Sequence, residues 1–249
     1  MKALIDGDIL VYRVGFAAQE KGENGEPVAI PEPLACARMD VAIEGILQAL
    51  NTIDYEVFLT STDKSNFRYK IFPEYKANRK APKPILYDAL RNFLIEKHKA
   101  TIVIDQEADD ALADSQTDNT VICSIDKDLD QVPGEHYDFV KQVRYSIEPN
   151  RARRFFYYQL LMGDRTDNVA GIEGCGPKTA ERILKGCKPD ELSLYNRVRQ
   201  AYKDHYGKRG DELMLLYGRL LKIGGGLWEL PDTQEEPEVK DSEVILNDT

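Results

Sequence analysis

The sequence predicts an α/β fold with a mostly parallel central sheet and helices on both of its faces. Short apolar segments, which are typical of buried strands, alternate with longer segments in which apolar residues recur at helical spacing. That alternation indicates a parallel sheet. In addition, acidic residues directly follow several of the apolar segments, and sites in such folds form where the strands end. A length of 249 residues allows one large domain, or one domain with a small subdomain.

The predicted elements divide the chain into three parts. Residues 1–150 form the α/β core with a basic segment at about 64–84, residues 151–230 form a helical subdomain, and residues 231–249 form an acidic, disordered tail. Strands are predicted at residues 2–6, 55–60, 101–104, 120–125 and 137–141, with 143–147 as a hairpin arm or an edge strand. Helices are predicted at residues 9–18, 33–52 and 84–98, from 107 and from 148 onward, and at 178–186, 191–206 and 210–222, whereas 20–32 reads as a loop.

The helix at 33–52 has a predicted buried stripe at helical spacing. Its members are Leu34, Ala37, Val41, Ile46, Leu47 and Leu50.

Composition excludes several classes of protein. The four cysteines form no CxxC pair and the three histidines are scattered, so a structural zinc site and a disulfide framework are not expected. There is no apolar segment near 18 residues long and no signal-peptide pattern. We therefore expect a cytoplasmic protein that does not contact a membrane.

The net charge of −10 argues at first against a nucleic-acid partner. Residues 231–249, however, hold seven acids and one base, a net of −6, which leaves −4 for residues 1–230. Nine of the acids in that part are candidate metal ligands, and without them its charge is +5. The sequence thus predicts a moderately basic body around an acidic pocket.

The segment 106–131 contains the densest group of candidate ligands. Two acidic groups flank a short helix and an apolar strand in it; they are Glu107, Asp109 and Asp110, and then Asp126 and Asp128. Acids at a helix N-terminus are favoured by the helix dipole, by about 0.3–1 kcal/mol each, which accounts for one or two of them. Carboxylates at this density repel one another, so a divalent metal between them is the better explanation.

Other strand ends and one loop supply further acids. Asp6 ends the first strand and Asp8 follows it, although Asp-Gly is also ordinary turn chemistry, and Asp63 lies just past the second strand. Asp164 and Asp167 lie three residues apart in a loop.

Residues 64–83 indicate contact with nucleic acid. The segment holds seven bases and one acid, with four aromatic residues between them. Bases for phosphates and aromatic rings for stacking are typical of channels for single-stranded nucleic acid. The alternative is a solvated basic loop with its aromatic side chains turned inward.

A glycine-rich turn follows at residues 171–180. Three glycines within six residues precede Pro177, Lys178 and Thr179, which open a helix. Free backbone N–H groups and a helix N-terminus can hold a phosphate. A glycine pattern alone is weak evidence for a phosphate site, so this interpretation depends on the other motifs of the chain.

These motifs together resemble the 5′ nuclease (flap endonuclease-like) family, which includes the 5′-nuclease domain of bacterial DNA polymerase I and the short phage 5′→3′ exonucleases. The order EADD, DKDL and GDRTDN followed by GIEGCGPKTA carries the resemblance over about residues 2–185, and DGD, YKANRK and SIDKD are most similar to the phage T7-type exonucleases. The resemblance implies a PIN-like/5′ nuclease fold with a helical arch over the basic segment and a C-terminal helix-hairpin-helix. Asp8, Ala170 and Cys175 depart from the family pattern.

The resemblance also assigns roles to residues of this chain. It implies that metal ions are bound by Asp6, Asp63, Glu107, Asp109, Asp110, Asp126, Asp128, Asp164 and Asp167. It implies that the bases that act on the scissile phosphate are Arg68, Lys76 and Arg79. Further DNA contacts are predicted at Lys70, Tyr75, Lys80, Lys83, Gly174, Gly176, Lys178 and Thr179.

The expected function is a Mg²⁺-dependent 5′→3′ exonuclease that hydrolyses duplex DNA from 5′ ends with two metal ions. We also expect that Mn²⁺ can replace Mg²⁺, that K⁺ binds at the hairpin, that 5′ flaps, nicks and RNA–DNA hybrids are substrates, and that the protein is a monomer. Two alternatives stay open: a PIN-like ribonuclease, and a catalytically inactive, structure-specific DNA-binding protein.

Overall fold

The structure is a computed structural model that describes residues 1–231. The acidic tail predicted for residues 231–249 lies outside the described residues from position 232 onward. Within the described part, no helix is both long and apolar enough to cross a membrane.

A six-stranded sheet organises the first part of the chain. Its strands are β1 (Lys2–Asp6), β4 (Tyr55–Thr60), β5 (Thr101–Val103), β6 (Thr120–Cys123), β7 (Gly134–Asp138) and β8 (Val143–Ile147). Their spatial order is β5-β4-β1-β6-β7-β8. All neighbours pair in parallel except β7 and β8, which form an antiparallel hairpin at one edge. The mostly parallel sheet of the prediction is confirmed.

Strand β1 is central because its sequence is apolar on both sides. Ala3 lies opposite Tyr55 of β4 on one side and opposite Val121 of β6 on the other. Its side chains alternate between two hydrophobic clusters, since Ala3 and Ile5 belong to one and Leu4 to the other. The carboxyl ends of β1, β4, β5, β6 and β7 therefore meet at one edge of the sheet.

Helices cover both faces of the sheet and continue into a helical part. In chain order they are α1 (Gly7–Ala17), α2 (Glu32–Leu50), α3 (Phe67–Ile71), α4 (Tyr87–His98), α5 (Ala108–Ser115), α6 (Pro149–Met162), α7 (Pro177–Leu184), α8 (Glu191–Tyr206) and α9 (Gly210–Leu221). Single turns of 3-10 helix lie at Lys127–Gln131 and Gly207–Arg209. Leu10, Met39 and Leu90 of α1, α2 and α4 pack on one face, and Leu112 of α5 packs on the other.

The helical part has its own hydrophobic cluster. Tyr157, Leu194 and Met214 of α6, α8 and α9 are fully buried in it. Tyr75, from the basic segment, belongs to the same cluster. The basic segment is thereby anchored to the helical part as well as to the sheet.

Three expectations about local structure were wrong. In α2 the predicted buried stripe is right at Ile46 and Leu50 but wrong in the first half of the helix, where Ala35, Met39 and Ile43 are buried and Val41 is 67% exposed. The predicted loop at 20–32 contains a small hairpin, β2 (Gln19–Lys21) with β3 (Pro27–Ala29). The predicted helical arch contains only the five-residue helix α3, followed by turns.

Candidate active site

The carboxyl ends of β1 and β6 bring two acids together. Asp6, which is 1% exposed, accepts hydrogen bonds from the Ile9 amide at 3.0 Å and from the Ser124 hydroxyl at 2.7 Å. Ser124 Oγ in turn accepts from the Asp126 amide at 3.0 Å. Burial raises the pKa of Asp6 to about 7, and the charges of Asp8 and Asp126 add to that rise.

The N-terminus of α5 adds Glu107 and Asp109 to the same place. Loss of surrounding water raises the pKa of Asp109 well above its usual range, and the neighbouring charges of Asp6, Asp126 and Glu107 raise it further. Three separate segments of sequence thus deliver carboxylates whose charges interact. Such repulsion disfavours full ionisation unless a cation is present.

The turn after β6 and the loop after α6 complete the group. Asp128 accepts a hydrogen bond from Gln159 Nε2 at 2.6 Å, and burial together with Asp126, Asp164 and Asp167 raises its pKa to about 7. Seven carboxylates form this acidic cluster; they are Asp6, Glu107, Asp109, Asp126, Asp128, Asp164 and Asp167.

Asp63, a predicted ligand, lies outside the acidic cluster. Its side chain is exposed and accepts a hydrogen bond from the Ser65 amide at 2.8 Å. Hydrogen bonds from Ser65 lower its pKa, and no charge of the cluster contributes. Asp63 lies away from the cluster because it is three residues beyond Thr60, the last residue of β4.

Asp110 and Arg68, predicted to bind metal and phosphate, bind each other instead. Arg68 is 2% exposed, and its Nη1 and Nη2 donate to Asp110 at 2.6 and 2.9 Å. Its Nε donates to the Leu220 carbonyl at 2.9 Å, and Nη2 also donates to that of Lys222 at 2.7 Å. The guanidinium therefore faces the interior rather than a substrate, which corrects the predicted role.

Lys76 and Arg79 face the acidic cluster. Lys76 Nζ forms an ion pair with Glu107 and lies 3.6 Å from Asp167, and Arg79 pairs with Asp167. Although burial alone lowers the pKa of Lys76, Glu107 and Asp167 raise it above the usual value. Lys76 adopts a left-handed backbone (φ 57°), which is uncommon for a residue other than glycine. Its amide donates to the Asp167 carbonyl at 3.0 Å, which holds that conformation.

Tyr75 was predicted to contact DNA, yet its ring is buried. Its hydroxyl oxygen lies 3.0 Å from Glu107 Oε2 and 2.8 Å from Asp167 Oδ2 and shares its one hydrogen between them, so it orients two acids. The remaining bases of the predicted DNA contacts are exposed. Lys70 pairs with Asp105 at 3.0 Å, Lys83 lies over the ring of Tyr87, and Lys80 is exposed as well.

The glycine turn leads directly into α7. Gly174 has φ 75°, and a side chain on Gly174 or Gly176 would meet open space. Gly176 precedes Pro177, the first residue of α7. Within residues 1–231 the amides of Gly174 and Gly176 have no hydrogen-bond acceptor. Lys178 is exposed and Thr179 is partly exposed beside them.

The sequence left the role of Asp8 open, and it did not single out Ser124 or Gln159. Asp8 accepts a hydrogen bond from the Thr60 amide at 2.9 Å and pairs with Arg91 at 2.9 Å, so it ties the end of β4 to α4. Ser124 and Gln159 are bonded to cluster acids, as described above. Their only signal in the sequence is position, since Ser124 directly follows β6 and Gln159 lies on the inner face of α6.

The chemistry of the donors fits a hard divalent cation. All seven members of the acidic cluster are carboxylates, and hard cations such as Mg²⁺ prefer oxygen ligands. Within residues 1–231, no three acidic, histidine or cysteine side chains are already arranged as a metal cage. Instead, two acids of the cluster are bound by other side chains of the protein. Glu107 pairs with Lys76, and Asp167 pairs with Arg79 and accepts from the Tyr75 hydroxyl. The cleft between them has a volume of about 40 Å³.

Fold and site together define an α/β enzyme with an acidic centre at the carboxyl edge of a parallel sheet. Comparison with known proteins is more specific. Residues 1–156 match the model of the 5′-3′ exonuclease N-terminal resolvase-like domain, and the chain belongs to this 5′ nuclease family. It is accordingly a nuclease, that is, a hydrolase, as the sequence predicted.

Named relatives agree. The 5′-3′ exonuclease of Mycoplasma pneumoniae is 31% identical over 73% of this chain and 70% of its own length. The thermostable DNA polymerase I of Thermus caldophilus is 30% identical over 81% of this chain, but over only 27% of the polymerase.

Solved structures share the fold. The 5′-exonuclease of phage T5 with bound zinc superimposes with a TM-score of 0.62 at 20% identity and covers 89% of both chains. A T5 flap endonuclease in complex with DNA and metal ions gives 0.61 at 20% identity and 88% of both chains.

Proposed function

We propose that this protein is a divalent-metal-dependent 5′→3′ exonuclease that hydrolyses DNA from the 5′ ends of duplexes. The observation that carries the proposal is the acidic cluster: seven carboxylates from separate segments, faced by Lys76 and Arg79. The family membership and the T5 structures with DNA and metal ions support it. Mg²⁺ is the proposed ion, and Mn²⁺ the proposed substitute.

The acids divide into two groups that would hold two ions. Asp6, Glu107, Asp109, Asp126 and Asp128 come from the sheet edge, and Asp164 and Asp167 come from the loop after α6. Two bound ions would supply the positive charge that phosphodiester hydrolysis requires at the attacking and leaving oxygens.

The bases of the basic segment would act on the phosphate rather than on the metal ions. Lys76 Nζ lies between Glu107 and Asp167, so a small movement brings it to a phosphate oxygen held in the same cleft. Arg79 is half exposed and can reach the same phosphate or the next one. Preorganised cations at a position where negative charge develops lower the barrier of phosphoryl transfer. Tyr75 keeps the two acids in place during that step.

The glycine turn would hold the duplex at a distance from the reacting bond. The free amides of Gly174 and Gly176 and the positive end of α7 suit a backbone phosphate, with Lys178 and Thr179 adjacent. A K⁺ ion at this turn, action on 5′ flaps, nicks and RNA–DNA hybrids, and a monomeric state belong to the same proposal.

The test uses duplex DNA labelled at the 5′ end, with Mg²⁺ present. The expected result is early release of short labelled products, whereas a 3′-labelled duplex retains its label in long fragments. Release from 3′ ends alone would refute the proposed polarity. Cleavage of single-stranded RNA in preference to DNA would favour the PIN-like ribonuclease, and binding without cleavage would favour the inactive DNA-binding protein.

A further inference from the structure

Beyond the last residue pair of β1 with β4, side chains rather than strand pairing connect these two parts of the fold. The pairing ends with Asp6 opposite Phe58, two residues before β4 ends at Thr60. A Cβ on Gly7 would lie 2.6 Å from the Phe58 carbonyl, so α1 can start this close to β4 only with a glycine. The next residue of α1, Asp8, can therefore reach the end of β4.

Three contacts connect Asp8, Arg91 and Thr60. Asp8 Oδ2 accepts from the Thr60 amide at 2.9 Å, and Arg91 Nη2 donates to the Thr60 carbonyl at 2.7 Å. Arg91 Nη1 pairs with Asp8 Oδ1 at 2.9 Å, and the Arg91 side chain is only 7% exposed, so solvent screens this pair little. We call these three residues the Asp8 clamp.

The Asp8 clamp reaches α5 through the Thr60 hydroxyl. Thr60 Oγ1 accepts from the Ala108 amide at 2.9 Å. Amides in the first turn of a helix have no acceptor within the helix, and this hydroxyl supplies one. Ala108 lies between Glu107 and Asp109, the two acids that the start of α5 contributes to the acidic cluster. A hydrogen bond to the end of β4 therefore holds the segment that carries both acids.

A different contact fixes the other side of the same segment. The Glu107 amide donates to Asp110 Oδ2 at 3.0 Å, and Asp110 is bound by the buried Arg68. That contact connects α5 to the helical part, whereas the Thr60 hydroxyl connects α5 to the sheet that carries Asp6. The separation between Asp6 and the acids of α5 therefore depends on the Asp8 clamp.

From these contacts we infer that the three residues of the Asp8 clamp are positioning residues for the proposed metal site. They hold Glu107 and Asp109 beside Asp6, although the repulsion among these carboxylates favours their separation. Without the clamp the acids would be together for a smaller fraction of the time, and the apparent metal affinity falls in proportion to that fraction. The inference rests on the proposed function, and it gives Asp8 a role other than that of a metal ligand.

The experiment measures Mn²⁺ binding in the absence of DNA, with electron paramagnetic resonance reporting the free ion. Thr60→Val removes the hydroxyl with little change of shape, and Thr60→Ser retains it. Thr101→Val is the matched control, because Thr101 begins β5 at the edge of the sheet away from the cluster and its hydroxyl donates to Glu56.

Thr60→Val should raise the dissociation constant for Mn²⁺ about tenfold, since loss of a group that orients metal ligands costs about 10–100-fold in metal affinity. Thr60→Ser and Thr101→Val should stay within about twofold of the wild type. Arg91→Lys should raise the constant in the same direction, because an ammonium group does not reproduce the two-pronged contact with Asp8 and the Thr60 carbonyl. This variant also tests the clamp if Thr60→Val does not fold.

Cleavage of a 5′-labelled duplex at increasing Mg²⁺ gives a second measurement. Thr60→Val should need about tenfold more Mg²⁺ for half of its maximal rate, whereas its rate at saturating Mg²⁺ should stay within about threefold of the wild type. The reason is that excess metal restores the arrangement in which the acids are together. A loss of maximal rate without a shift in the Mg²⁺ requirement would contradict a positioning role.

Equal Mn²⁺ affinities of Thr60→Val and the wild type would overturn the inference, and so would an equal loss of affinity in Thr60→Val and Thr60→Ser. If the wild type shows the expected difference from Thr60→Val in Mn²⁺ binding but releases nothing from 5′ ends in Mg²⁺, the proposed function fails and this inference stands. If 5′ cleavage proceeds and Thr60→Val binds Mn²⁺ like the wild type, the inference alone fails.

Discussion

Arg68 and Asp110 form a bidentate ion pair inside the protein, with N–O distances of 2.6 and 2.9 Å. The same guanidinium holds two carbonyls at the end of α9, Leu220 and Lys222, and Asp110 also accepts from the Gly224 amide at 3.1 Å. The pair therefore connects the basic segment, the N-terminus of α5 and the end of the helical part. Because Asp110 is adjacent to Asp109, this connection fixes one side of the acidic cluster.

Removing one partner should destabilise the protein strongly. Arg68→Met leaves the Asp110 carboxylate buried without its cation, and such a loss costs about 3–5 kcal/mol. Lys70→Ala is the matched control, since Lys70 lies in the same short helix and its pair with Asp105 is exposed. That change should cost at most about 1 kcal/mol. Urea unfolding measures the loss of stability in both variants. Equal losses would contradict a large contribution of the buried ion pair.

The pH dependence of stability should reveal the strain in the acidic cluster when metal is removed. The pKa of Asp6 and of Asp128 is about 7 in the folded protein, above the unfolded value of about 4. Stability from these groups is fully present below the unfolded pKa and is lost as pH rises through about 7. In EDTA the free energy of unfolding should therefore fall between about pH 4 and about pH 7.

Asp128→Asn identifies the origin of this pH effect. The variant should lose less stability than the wild type over the same pH range, because it has one carboxylate fewer to ionise. Mg²⁺ should restore wild-type stability at the higher pH by binding the ionised acids. A wild-type stability that rises with pH in EDTA would contradict the cluster's electrostatics.

The sequence predicts both Asp63 and Asp109 as metal ligands, but the structure brings only Asp109 into the acidic cluster. Asp63→Asn should leave cleavage within about twofold of wild type, because its carboxylate is exposed and outside the cluster. Asp109→Asn should lower the rate at least about 100-fold, because it removes a carboxylate from the centre of the cluster. Initial rates on the same labelled duplex decide, and a large loss for Asp63→Asn would mean that its loop moves to the site.

Much of the architecture follows from local sequence. Apolar strands and the acids at their ends predict the sheet and its active edge, because a strand's end position is set by the strand itself. Asp6 and Asp126 were placed correctly in this way. Side-chain partners across long sequence separations are not predictable from local pattern. Arg68 lies 152 residues from Leu220, whose carbonyl it binds, so nothing near Arg68 indicates its burial.

The phase of the first half of α2 was mispredicted for a related reason. Both candidate stripes contain apolar residues, and Met39 and Ile43 rather than Val41 are buried where α2 packs against α1 and α4. The position of Tyr75 among bases predicts a DNA contact, yet the helical part encloses its ring.

Removing the Asp126 carboxylate should abolish cleavage but leave DNA binding almost unchanged. Asp126→Asn should abolish cleavage in Mg²⁺ while duplex affinity in Ca²⁺ changes less than about threefold, since the glycine turn and the exposed bases are unaltered. Asp105→Asn is the control, because Asp105 is exposed and pairs with Lys70 outside the cluster. Anisotropy and gel assays measure the two properties, and an equal loss of both would indicate misfolding or a role for Asp126 in binding.

Replacing Lys76 tests whether the basic segment takes part in the reaction. Its Nζ lies between Glu107 and Asp167 in the cleft, whereas Lys80, four residues on, is exposed and has no ion pair within residues 1–231. Lys76→Ala should lower turnover at saturating duplex at least about 100-fold with little change in KM, because the lost charge acts on the transition state. Lys80→Ala should alter KM alone. If turnover of Lys76→Ala stays within about twofold of wild type, the basic segment binds DNA without taking part in the reaction.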